Sequence, residues 1–313
     1  MANVIHGHFD SALSLHKQIV SLSQDGDGHT NDGRLILLYA GAIAECLLEY
    51  EDWKDGLNGF FDMNASFEES LDSAQWLESN AVTQSFYRDK DAELGRSVVR
   101  SYLDDHAETS FLMLRNIKSS LMAVMDDKTN FWRRLHDMTC TVLVTEQIVH
   151  NLCDQVIDIN IGAEGWSLGD CVQAMGALSG QYYARSLQAR TYGRSKMAVI
   201  NHGFDYMVHT IMNEAMRLGM DDHAGVYTMI PANDTQPYVP FSKVDNIDVI
   251  AMPLFRIFKV ADANLKSLMV AKATGRMMAV AAAGDTADMD CCVVTPLALT
   301  SMQGSYHHCL VNA

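Results

Sequence analysis

The sequence predicts an α+β protein, with a mostly helical N-terminal bundle over residues 1–225 followed by a small β-rich C-terminal domain over residues 226–313. Three observations predict that division. All five prolines lie beyond residue 230, at Pro231, Pro237, Pro240, Pro253 and Pro296, although average usage would place roughly a dozen in the first 230 residues. Proline costs about 3 kcal/mol inside a helix, so a bundle excludes it while a loop-rich β domain tolerates it. Charge divides at the same place. Residues 1–230 carry 17 Lys+Arg against 32 Asp+Glu, a net of −15, and residues 231–313 carry 6 against 7, a net of −1, which together give −16. The third observation is a change of apolar spacing from three-and-four to short continuous runs.

The elements follow in chain order. Asp10 caps a helix running to about Ser23, and a Gly- and Asp-rich loop spans Gln24 to Gly33. The apolar run Leu35 to Leu48 is broken only by Glu45. It is too short for a spanning helix, which needs about 20 residues, and reads as a core helix ending near Trp53. Ser66 with Glu69 forms a capping box. A long helix is expected from Asp91 to Asp126, on the stripe Val99, Leu103, His106, Ser110, Leu114, Ile117, Leu121 and Val124. Asn130 opens the next helix, with Leu135, Met138, Val142, Val149, Leu152 and Val156 inward. Ser167 with Asp170 caps a helix rich in small residues (Gly169, Ala174, Gly176, Ala177, Ser179, Gly180 and Ala184), which let helix backbones approach closely. Ser195 caps the last long helix. Strands are expected at Val226–Ile230, Ile247–Met252, Leu254–Val260, Cys291–Thr295, Leu297–Thr300 and Tyr306–Val311. Thr274-Gly275 reads as a hairpin turn between Ser267–Ala273 and Arg276–Ala283, in competition with a helix capped by Asp262.

Composition excludes several function classes. With 48% hydrophobic and 20% charged residues, the chain is neither disordered nor collagen-like. A net charge of −16 repels phosphates, so nucleic acid is disfavoured as a partner. The one basic patch combines Arg185, Arg190, Arg194 and Lys196 with Tyr182, Tyr183 and Tyr192, and its spacing does not hold one helical face. Seven scattered cysteines without a Cys-x-x-Cys pair read as buried free thiols in an intracellular, reducing compartment. No secretion signal opens the sequence.

Candidate sites are few. Asp104 and Glu108 lie one helical turn apart in Asp104-Asp105-His106-Ala107-Glu108, a spacing at which carboxylates hold magnesium. The pattern resembles the aspartate-rich element of isoprenoid-diphosphate enzymes. Those enzymes need a second such element and basic residues for the diphosphate, and here only Asp154-x-x-x-Asp158 has suitable spacing. His202, Asp205 and His209 share one side of a helix, where imidazole and carboxylate bind transition metals; a facing helix would have to supply further ligands, such as His136, Cys140 or His150. The loop Asp25-Gly26-Asp27-Gly28-His29 fails as a calcium loop, since Thr30 and Ile36 stand where Gly and Glu are required. His307-His308-Cys309 is expected on a strand, with His307 and Cys309 on one face. No nucleotide-binding glycine motif or Gly-x-Ser-x-Gly elbow is present. No organic cofactor is predicted, and a divalent metal is the one group these residues suit.

Two functional expectations follow. The first is a non-enzymatic structural or assembly protein that self-associates with copies of itself or with other subunits: a shell, coat or scaffold component, as in a virus coat incorporated into the virion. It rests on the lack of a convergent catalytic set and on 19 methionines suited to adaptable contact surfaces. The alternative is a metal-dependent helical enzyme using Asp104 and Glu108, or His202, Asp205 and His209.

Overall fold

The computed structural model describes residues 14–50, 52–61, 82–106, 109–124, 129–163, 165–188, 196–220, 241–283 and 291–311. Among them are eleven helices and no strand. The protein is all-α, and the expected β-rich C-terminal domain is not formed. Two compact units divide the chain, one comprising residues 1–80 with 87–144 and the other residues 81–86 with 145–313.

The first unit begins with α1 (residues 14–23). A tight loop follows, in which Asp25 Oδ1 accepts from the backbone N–H groups of Asp27 (3.1 Å) and His29 (2.9 Å). Gly28 turns the chain with φ +79°, a left-handed conformation that glycine adopts without a Cβ penalty. Asn31 caps α2 (Asp32–Leu47) by accepting from Arg34 N, satisfying one of the helix's orphan donors. Then come α3 (Trp53–Phe61), α4 (Val82–His106, in this unit from Tyr87 onward), α5 (Ser110–Val124) and the first part of α6 (Thr129–Ala163). The single helix expected over 91–126 is two: Thr109 Oγ1 accepts from Leu112 N (3.4 Å) and starts α5 afresh. The apolar stripe still faces inward on both, with Val99, Leu114, Ile117 and Leu121 buried. Ser66 and Glu69 lie outside the described residues.

The second unit contains the rest of α6, α7 (Leu168–Gln188), α8 (Lys196–Arg217), α9 (Phe241–Ile257), α10 (Ala263–Ala282) and α11 (Cys291–Val311). The Ser167/Asp170 box opens α7 as the sequence indicates. Asp170 Oδ2 accepts from Ser167 N (3.0 Å) and Oγ (2.9 Å), and Ser167 Oγ accepts from Asp170 N (3.1 Å). The expected strands at 247–252, 291–295, 297–300 and 306–311 are helical instead, and 254–260 is helical to Ile257 and then turns; Val226–Ile230 lies outside the described residues. Thr274-Gly275 is no hairpin turn but the middle of α10, which Asp262 caps by accepting from Asn264 N and Leu265 N. Two causes misled the periodicity. α10 is buried on nearly every side, and a helix buried all round shows no polar face; α11 has an outer face, but its first half carries Cys292, Val293, Pro296 and Leu297, so polarity does not mark it. The β-branched runs are local preferences that tertiary burial overrides. Pro253 and Pro296 sit inside α9 and α11, Pro253 on an exposed face where water can solvate the carbonyl it orphans.

Glycines set how closely helices meet. A Cβ at Gly41 would lie 1.8 Å from Ala92 O, and one at Gly95 2.0 Å from Leu38 O, so α2 and α4 meet backbone to backbone. In the second unit Gly176 faces Ala298 O (2.3 Å from a built Cβ) and Gly180, one turn on, faces Met302 O (2.2 Å), joining α7 to α11. Gly275 meets Ile211 O in the same way (2.2 Å), joining α10 to α8.

Gly41→Val should therefore lower the unfolding free energy by about 3 kcal/mol, since a backbone carbonyl cannot yield as a side chain does. Gly59→Ala in α3, where a Cβ meets nothing within 4 Å, should raise it by about 0.5–1 kcal/mol. Urea denaturation followed by circular dichroism reads both shifts.

Candidate functional site

Of the expected metal ligands, Asp104 is exposed on α4, while Glu108 and the side chain of His106 lie outside the described residues. Asp205 and His209 are exposed one turn apart on α8, and the side chain of His202 is not among those described. The further donors proposed for them are engaged on α6. His136, almost fully buried, has Nε2 3.6 Å from Cys140 Sγ and Nδ1 3.3 Å from Asp137 Oδ1. His150 lies on the outside, 3.2 Å from Asp154 one turn along. Among the described residues no group of three or more His, Cys, Asp or Glu side chains could hold a metal ion. His307, His308 and Cys309 stand on helix α11 rather than a strand, with both histidines exposed and the thiol half-buried.

The basic patch resolves at its first member. Arg185 pairs with Asp248 Oδ2 (3.2 Å) and lies over the Tyr182 ring (5.2 Å), while Tyr182 Oη donates to Asp248 Oδ1 (2.6 Å). Arg190, Tyr192 and Arg194 lie outside the described residues. Lys243 joins α9 to the cap of α7, with Nζ 2.8 Å from Asp170 Oδ1 and 4.7 Å from the Trp166 ring centre. Burial raises the Asp170 carboxyl, but the hydrogen bonds from Lys243 and Ser167 outweigh it and hold the group below its ordinary value. The stability from this link is thus fully present above the ordinary carboxylate range and is lost as pH falls from there through the group's lowered value.

Two densely charged interior places among the described residues, one in each unit, were not read from the sequence. In the first unit, Glu45 of α2 accepts from Arg96 Nε (2.6 Å) and Arg100 Nε of α4, and Glu93 accepts from Arg96 Nη1 (3.3 Å) and Arg100 Nη2 (2.9 Å). Arg96 is 2% exposed. In the second unit, Glu146 of α6 lies 3.3 Å from Lys272 Nζ of α10 and 3.4 Å from Arg217 Nη2 of α8, which also pairs with Glu214. Glu146, Glu214 and Lys272 are all buried. Each group brings acids and bases of different helices together. A signal existed for both: Glu45 interrupts an apolar run, and Lys272 stands alone between Leu268 and Ala273. What they do chemically is structural, because a buried charge is tolerated only with a partner, and each pair fixes which helices can adjoin.

All seven cysteines are free thiols, and Cys46, Cys140, Cys153 and Cys171 are buried. Burial pushes Cys140 and Cys153 up to about 12 and Cys171 up to about 11, with nearby acidic charge (Asp137 for Cys140, Asp170 for Cys171) adding to the rise. A thiol held protonated is a poor nucleophile, and Cys140, in contact with His136, is such a thiol. No family model, curated protein or solved structure matches the chain.

Glu45→Gln should cost about 3 kcal/mol, because it strips the carboxylate from two arginines, one of them buried; a chemical-denaturation midpoint unchanged from the native chain would refute the role. Thiol titration with Ellman's reagent near neutral pH should modify exposed Cys292 first. Cys46, Cys140, Cys153 and Cys171 should react only after denaturant is added.

Proposed function

We propose that the chain is a non-enzymatic structural subunit that self-associates, a component of a shell, coat or scaffold; a virus particle is one such setting. The observation that carries this reading is the outward face of α9. Val249, Pro253 and Ile257 follow one another at four-residue spacing, all exposed, and Val249 and Ile257 are each 71% exposed. Single exposed apolar residues are ordinary, but an apolar row along one helix face favours contact with another surface. Each square ångström of it removed from water contributes about 25 cal/mol.

The rest of the chemistry supports the same reading. The buried charges are held in ion pairs that join helices, and burial keeps the buried thiols protonated. Phe111 and Met122 on α5 are also strongly exposed, which gives the first unit apolar surface of its own. The charge of −16 disfavours nucleic acid as the partner. No helix among the described residues is long and apolar enough to cross a membrane. Seven free thiols suit a reducing, intracellular setting for the subunit.

Sedimentation velocity of the full chain over a wide concentration range tests the proposal. The expected result is a mass above 34.7 kDa that climbs with concentration. A constant monomer mass at the highest attainable concentration would contradict it.

A further inference from the structure

We infer that α9 pairs with α9 of a second copy, antiparallel about a two-fold axis passing near residues 250 and 251; this rests on the self-association proposed above. The evidence is the order of chemistry along the exposed face. Asp245 stands at its start, Val249 and the half-buried Met252 with Pro253 occupy its middle, and Arg256 with Ile257 closes it. The spacings of four, three and four keep Asp245, Val249, Met252 and Arg256 on one stripe of a helix.

That stripe is complementary to itself in only one direction. A two-fold contact brings residue i of one copy to residue j of the other and j to i. Run antiparallel, Asp245 meets Arg256 of the second copy, Val249 meets its Met252, and both relations occur twice. Run parallel, Asp245 would meet Asp245 and Arg256 would meet Arg256, which is repulsive at both ends. The charges thus choose the orientation and the apolar middle supplies the attraction, the usual division of labour at an interface. Asp248, on the same helix, does not compete, because it is turned inward onto Tyr182 and Arg185.

Pro253 suits this place as well. It removes one backbone donor from the helix, yet its ring adds a rigid apolar surface beside Val249. One helix face is small against a standard interface of about 1,600 Å², so this contact alone is weak and gains strength when a subunit makes several contacts at once.

Charge reversal of the full chain, read by sedimentation velocity with circular dichroism to check helicity, tests the pairing. Asp245→Arg alone and Arg256→Asp alone should each weaken association at least about tenfold. The doubly reversed chain, and an equimolar mixture of the two single variants, should return to within about threefold of the native value. If the native chain associates and the single reversals leave association unchanged, the pairing is wrong while self-association stands. Weakened single variants that neither the double reversal nor the mixture restores would also overturn it. A native chain that stays monomeric overturns both.

Discussion

Helix backbones touching at glycine are the constraint on which the structure depends. Gly41 and Gly95 seat α2 and α4 against each other's carbonyls, Gly176 and Gly180 seat α7 on α11, and Gly275 seats α10 on α8. At such distances Cα–H groups lie against carbonyl oxygens, contacts that are individually weak but recur wherever helices cross closely. Close approach also brings the flanking side chains into dense packing: Val172, Met175, Leu178 and Tyr183 of α7 are almost wholly removed from water, as are Ala298, Leu299 and Met302 of α11. Close-packed interiors of this kind resist even a one-methylene change.

Once helices meet that tightly, a charge between them has no water to turn to. Glu45 can remain in the apolar helix α2 only because Arg96 and Arg100 come from α4 to meet it. Glu146 can remain on α6 only because Lys272 and Arg217 come from α10 and α8. Replacing such groups by well-packed apolar residues is often neutral or stabilising, whereas removing one partner is costly. Their effect here is to specify neighbours: a helix that slipped past its partner would leave carboxylates and bases unpaired. Glycine contacts set the distance between helices, and the charge groups select which helices meet.

The sequence was legible where one face of a helix is wet. The Ser167/Asp170 box and the three-and-four stripe of Val99, Leu114, Ile117 and Leu121 both mark a boundary between water and core. It was illegible where that boundary is missing, as along α10, or where apolar residues occupy the wet side, as Val249, Pro253 and Ile257 do on α9. α10 buries Lys272 and Thr274 among its apolar residues, and α11 buries Thr295, Ser301 and Ser305 while it exposes Cys292 and Val293, so polarity does not track exposure in either and both passed for strands. Gly275 looked like a turn because a glycine between apolar runs has two readings, and only the carbonyl of Ile211 decides for close approach. The proline shift marked a real change in sequence, but α9 and α11 accommodate Pro253 and Pro296 within helices. For the candidate sites, Asp205 and His209 do share an exposed face as their spacing requires, yet spacing along one helix cannot show what stands opposite. Glu45 and Lys272 carried the better signal, as isolated charges in apolar runs.

The claim that glycine-mediated backbone contact holds the C-terminal helices in place is tested most directly by nuclear magnetic resonance of the full chain. Helical Cα shifts are expected through residues 291–311, together with cross-relaxation between the Hα protons of Gly176 and the Hα of Ala298, and between those of Gly180 and the Hα of Met302. Extended shifts over that segment, or helical shifts without those contacts, would contradict it.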